Sequence, residues 1–220
     1  MRKWARDHGL LLVNSGLFLV FLVGMALAGV RAYNVDQAAH GEATVSFWGY
    51  LRTGDFVEAT FENWESEFLQ MGMYVVLTVF LFQRGSSESK PVDGPAPQDE
   101  DPHEADKRKD VPWPVRHGGW VLSLYKNSLA LLFMVLFLLS IALHALGGAR
   151  SYSEEQMAHG EPGVSAWQYV RTSQFWFESF QNWQSEFLAV AVIVGASVYL
   201  RQLGSAESKP VAEPHASTGA

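Results

Sequence analysis

The residues with chemistry to offer come in pairs. Asn63 and Glu67 are matched by Asn182 and Glu186, and His40 and Glu42 by His159 and Glu161, each pair 119 positions apart. Thr60, Asn63 and Glu67 fall at i, i+3 and i+7, as do Ser179, Asn182 and Glu186, so on a helix each trio makes one polar stripe. Carboxylate and amide oxygens on such a stripe suit an ion or a small polar solute, which makes Asn63, Glu67, Asn182 and Glu186 the first candidate site. The alternative is structural, with each glutamate bonded to Asn, Ser or Arg partners that hold two halves of the chain together. Two imidazoles with two carboxylates are acceptable to zinc or another divalent metal. His40, Glu42, His159 and Glu161 are therefore a second candidate group. A turn at Gly41 and Gly160, with His and Glu bonded to backbone, accounts for the same residues without a metal. His144 is a lone imidazole in an apolar run, its counterpart is Met25, and it reads as a histidine bonded to a neighbouring helix.

Other chemistries are excluded or lack a motif. There are no cysteines, so disulfides, iron–sulfur clusters and thiolate zinc sites are ruled out. The net charge is −7, and Lys107-Arg108-Lys109 sits among acidic residues, so nucleic acid is not an expected partner. No nucleophile with its base, phosphate loop or metalloprotease helix is present. The expectation is a non-enzymatic protein without a cofactor, a divalent metal being the one group its residues would suit.

The elements that must position these residues are greasy. Leu10–Val30 and Leu129–Leu146 are apolar runs free of charge, followed by Arg31 and Arg150, and Phe68–Phe82 and Phe187–Leu200 are shorter ones. A hydrocarbon core of roughly 30 Å needs about 20 helical residues. The shorter runs must therefore extend backwards, which brings Asn63, Trp64, Ser66 and Glu67, and their counterparts, to the boundary of the hydrocarbon. A carboxylate at the centre of the bilayer costs about 2.5–3.5 kcal/mol even on insertion scales, so Glu67 and Glu186 should face other protein or a wet cavity. The basic start (Arg2, Lys3, Arg6) and Ala26-Leu27-Ala28 imitate a signal peptide. The apolar run exceeds the usual length of about 7–15 residues, so it is read as a span.

The chain is duplicated. From Arg31/Arg150 to Val92/Val211 the offset stays at 119 without a gap, through His40-Gly41-Glu42/His159-Gly160-Glu161, Trp48/Trp167, Tyr50/Tyr169, Arg52-Thr53/Arg171-Thr172 and Glu88-Ser89-Lys90-Pro91/Glu207-Ser208-Lys209-Pro210. Two spans per copy make the repeats parallel, related by an axis along the membrane normal. The expected organisation is a first repeat at 1–92 (spans about 10–30 and 63–82), a flexible linker at 93–118, a second repeat at 119–211 (spans about 129–149 and 182–200) and a disordered tail at 212–220. The fold class is all-α, an integral membrane four-helix bundle of two parallel two-span repeats.

Orientation follows from the basic residues. With the N-terminus inside, Arg2, Lys3, Arg6, Arg84, Lys90, Lys107, Arg108, Lys109, Arg116, Lys126, Arg201 and Lys209 are cytoplasmic, and only Arg31, Arg52, Arg150 and Arg171 are outside. Both termini are thus expected in the cytoplasm, and Trp4, Trp64, Trp120 and Trp183 fall near interfaces. The expected partners are the lipid bilayer, a protein docking at the outer loops, and a second copy of the chain.

Phe61-Glu62-Asn63-Trp64-Glu65-Ser66-Glu67-Phe68-Leu69, its counterpart at 180–188 and Gln83-Arg84-Gly85-Ser86-Ser87-Glu88-Ser89-Lys90 together resemble a bacterial membrane family catalogued only as a domain of unknown function. The likeness covers nearly the whole chain apart from the linker and tail. It implies a bacterial inner-membrane location and carries no mechanism.

Overall fold

The computed structural model describes residues 2–102 and 110–219. Residues 103–109 of the expected linker, with Lys107, Arg108 and Lys109, lie outside the described residues. About 68% of the chain is helical, and the described residues contain no strand. Four long helices dominate: α1 (Gly9–Ala39), α2 (Gly54–Phe80), α3 (Ser128–Ala158) and α4 (Ser173–Ala196).

Two of them, α1 and α3, are long and apolar enough to cross a membrane. Only 6% and 17% of their most apolar windows are buried. That is the reverse of a soluble core helix, in which each Leu, Phe or Val gains roughly 1.5–3 kcal/mol by leaving water. α2 and α4 exceed the length of a span but do not pass the same test, because Asn63, Glu65, Glu67 and Gln70, or Glu178, Asn182 and Glu186, dilute their apolar halves.

The helix ends explain the motifs. α1 stops at His40 because Gly41 takes φ 75°, which lets the Glu42 N–H reach back to the Gln37 carbonyl at 2.8 Å. α3 stops in the same way, with Gly160 at φ 80° and Glu161 N–H to Gln156 O at 2.9 Å. Both are glycine-terminated caps that satisfy otherwise orphaned carbonyls. Thr53 and Thr172 open α2 and α4, each side chain accepting from the N–H three residues on, Phe56 or Phe175, at 3.3 Å. The short helices Phe47–Tyr50 and Ala166–Tyr169 are capped by Ser46 and Ser165.

The chain divides into two compact units, each drawing on both halves of the sequence. The first comprises 1–62 and 141–176, the second 63–140 and 177–220. In the first, Ala145, Ala149, Tyr169 and Phe175 form the core. There α2 approaches α3 at backbone distance: a Cβ on Gly147 would lie 2.6 Å from the Glu58 nitrogen, and one on Gly54 would lie 2.5 Å from the Ser151 nitrogen.

In the second unit, Phe68 packs near Phe133 and Phe137 near Trp183, with Glu65, Ser66, Gln70 and Ser140 buried. Residues 212–219 of the expected tail fold around Lys209, which is 1% exposed. Its ammonium donates to the carbonyls of Pro214, His215 and Ser217 at 3.4, 3.1 and 2.8 Å. Gly219 N–H then reaches Ser86 O at 2.9 Å. The physical reason is that a buried ammonium needs carbonyl donors of electron density, and the tail supplies them.

Gly147→Val should therefore cost about 1–3 kcal/mol through overpacking at the α2–α3 crossing. A thermal melt of the purified protein in detergent reads this as a lowered midpoint; an unchanged midpoint contradicts the crossing.

Candidate functional site

Asn63, Glu67, Asn182 and Glu186 all fall in the second unit. Glu67 is exposed and Glu186 half-buried, and the two carboxylates lie within electrostatic range of each other. Asn182 Nδ2 donates to its own helix at Glu178 O, 3.1 Å away, and Asn63 is exposed. The carboxylate that is fully enclosed here is Glu65, 0% exposed, which accepts from the Trp183 indole N–H at 3.1 Å. Pattern reading passed over Glu65 because its counterpart is Gln184. The signal that points to it is the indole N–H of a tryptophan beside a span, which needs an acceptor.

The histidine group is brought together more fully, within the first unit. His40, Glu42 and His159 line one cleft of about 440 Å³, and Glu161 is not among its lining residues. Four further carboxylates face it, Asp36, Asp55, Glu154 and Glu155, and neither lysine nor arginine lines it. Most of these groups are held in place by local bonds. Gln37 Nε2 donates to Glu42 at 3.0 Å, Tyr33 Oη to Glu154 at 3.2 Å and Tyr50 Oη to Asp55 at 2.8 Å.

The histidines have one orientation each. His40 Nδ1 bonds Asp36 O at 3.0 Å, and His159 Nδ1 bonds Glu155 O at 2.9 Å. A carbonyl can only accept, so Nδ1 carries the proton and Nε2 keeps its lone pair in the neutral ring. The backbone-bonded turn read from sequence and the shared cleft thus coexist. The groups are nevertheless spread out: no three of the cleft's histidine and carboxylate ligand atoms lie within 4.8 Å of one another. The cleft is not preformed to strip and chelate a bare metal ion. Its volume lies in the range of small-molecule sites, roughly 300–1,000 Å³. Its one-signed lining concentrates cations.

Tyr50 is held neutral. Burial raises its phenol above the ordinary value, and the hydrogen bond and charge of Asp55 act in the same direction.

A family model described as a domain of unknown function (DUF6766) matches residues 1–220. No curated protein and no solved structure matches the chain.

The raised Tyr50 value sets a pH dependence. The unfolded phenol ionises near pH 10, about its reference value, and the folded one does so higher. The contribution is fully present below about pH 10 and is lost as pH rises through the folded value. Tyr50→Phe should flatten the alkaline fall in stability, measured as the melting midpoint in detergent from pH 9 upward, and parallel profiles for the two proteins contradict the assignment.

Proposed function

We propose that this chain, which belongs to the DUF6766 family of domains of unknown function, is a multi-pass membrane protein that binds a hydrated or small organic cation in the cleft of its first unit. The observation that carries this reading is the cleft itself, with Asp36, Glu42, Asp55, Glu154 and Glu155 beside His40 and His159 and no basic residue in the lining. Cations are the ligands such a lining attracts. No catalytic constellation accompanies it, and binding without turnover is the proposed activity.

The membrane reading rests on the apolar windows of α1 and α3, which are barely buried. We extend it to four spans, since α2 and α4 have 27 and 24 residues against about 20 needed. The matched helix caps at Gly41 and Gly160 support two parallel repeats. The excess of basic residues at the opposite ends favours cytoplasmic termini and a cleft on the outer side, and a bacterial inner-membrane location is part of the same proposal, on the family resemblance alone. Glu67 and Glu186 are then the residues on which a transport version would depend.

A second reading is favoured by Tyr33–Glu154 and Tyr50–Asp55, which already engage two of the cleft's acids. In it the same residues staple the protein together and the outer loops dock a protein partner, or a second copy of the chain.

Calorimetric titration of the detergent-purified chain with Ca²⁺ and with putrescine separates the two. Cation binding predicts uptake of at least one probe and about tenfold weaker binding in Asp36→Asn/Glu155→Gln, as expected for some 1.4 kcal/mol of lost attraction. No uptake of either probe rejects the cation reading. A lowered melting midpoint in that variant with no heat of binding supports the staple. Because the chain has no cysteine, single cysteines at positions 45 and 165 report topology. Both should react with an impermeant maleimide from outside, and protection of either one rejects the orientation.

A further inference from the structure

A second cavity, of about 770 Å³, lies within the second unit, and the cation reading does not use it. Tyr74, Val75, Thr78 and Val79 line it from one face of α2. The rest of the lining comes from the turn at 87–91 and from two later stretches of chain, Pro97–Asp99 and Thr218-Gly219.

Each of those stretches follows a lysine, and the two lysines, Lys90 and Lys209, leave matching turns 119 positions apart. In these turns Gln83 N–H donates to Ser89 Oγ at 3.0 Å, and Gln202 N–H to Ser208 Oγ at 2.9 Å. Glu88 N–H reaches Ser86 Oγ, and Glu207 N–H reaches Ser205 Oγ, both at 3.1 Å. Each lysine then gathers chain that comes after it. Lys90 Nζ meets the Asp99 carboxylate at 2.7 Å. Lys209, 1% exposed, donates to the carbonyls of Pro214, His215 and Ser217.

The segment gathered by Lys209 is attached by hydrogen bonds and not by apolar burial. Residues 212–219 include no large aliphatic side chain, and 212–216 are exposed. Arg201 Nη2 donates to Glu213 O at 3.2 Å and His215 Nδ1 to Val198 O at 3.1 Å. Gly85 N–H donates to Thr218 Oγ1 at 2.8 Å and Gly219 N–H to Ser86 O at 2.9 Å, which sets Thr218 and Gly219 against the cavity. A segment with few buried apolar contacts opens locally, at a free energy below that of global unfolding. Charge-assisted bonds are the stronger ones in such a set, and the Lys209 ammonium makes three of them to the segment where Arg201 makes one.

We propose that residues 212–219 are a lid on the cavity of the second unit, clasped by the Lys209 ammonium, and that release of the clasp opens the cavity without unfolding the helices around it. This device is independent of the acidic cleft, which lies in the first unit.

The test uses the detergent-purified full chain, with hydrogen exchange read by mass spectrometry and maleimide labelling of Ser87→Cys, a cavity-lining position in a chain that has no other cysteine. In the otherwise unaltered chain, 212–219 should exchange more slowly than a free peptide. Lys209→Met keeps an unbranched side chain and removes the donor. It should raise exchange in 212–219 and the labelling rate of Ser87→Cys by about tenfold or more, the size expected of lost hydrogen bonds to a charged group, while exchange in α2 and α4 stays unchanged. Deletion of 212–220 should speed the labelling by a similar factor. A segment that already exchanges like a free peptide, or rates that do not move in Lys209→Met, overturns the proposal. Loosening of α2 and α4 together with the segment makes Lys209 a core group and overturns it too. Should Lys209→Met fail to purify, the deletion decides alone: labelling no faster than in the full-length chain overturns the lid.

Discussion

Polar side chains withdrawn from the surface of a chain that exposes many large apolar residues must find partners within the protein, and the arrangement around half-buried Glu58 and buried Glu65 follows from that constraint. Each carboxylate is met by a neutral aromatic donor from the other half of the sequence: Tyr169 to Glu58 at 2.8 Å, Trp183 to Glu65 at 3.1 Å. An aromatic donor contributes a hydrogen bond while its ring fills apolar space, so it satisfies the acid without introducing a second polar group that needs water.

Small residues make this possible. Gly54, Gly147 and Gly148 let α2 and α3 approach to backbone contact in the first unit, much as small residues do wherever helices pack without a hydrophobic driving force between them. The cleft depends on a different local device. Gly41 and Gly160 end α1 and α3 in glycine caps. The histidine before each glycine bonds the carbonyl four residues back through Nδ1. The His-Gly-Glu pattern is first a helix terminator, and its chemistry is what the terminator leaves exposed.

The residues that appear twice and those that appear once have different fates. The matched Glu67 and Glu186 feel each other's charge and remain exposed and half-buried. Two like charges brought together resist joint burial. The buried acids have no acidic counterpart in the sequence, Glu65 standing opposite Gln184 and Glu178 opposite Ala59 in the 119-residue register, and His144 stands opposite Met25. A search weighted toward matched positions therefore finds caps and turns, which are local, and passes over the enclosed groups. Their role arises at positions where the two matched stretches differ.

Local physics was legible in the amino-acid order. Apolar runs of spanning length, the glycine turns and the polar stripe Thr60-Asn63-Glu67 all depend on near neighbours, and periodicity reports near neighbours. The cleft shared by His40 and His159, the burial of Glu65 and His144, and the folding of the chain after Lys209 around it were decided by tertiary structure alone. Each joins residues more than a helix apart or sets burial against position. Lys209 illustrates the reason: the chain beyond it has the composition of a free end, yet a buried ammonium with three carbonyls within reach holds it in place.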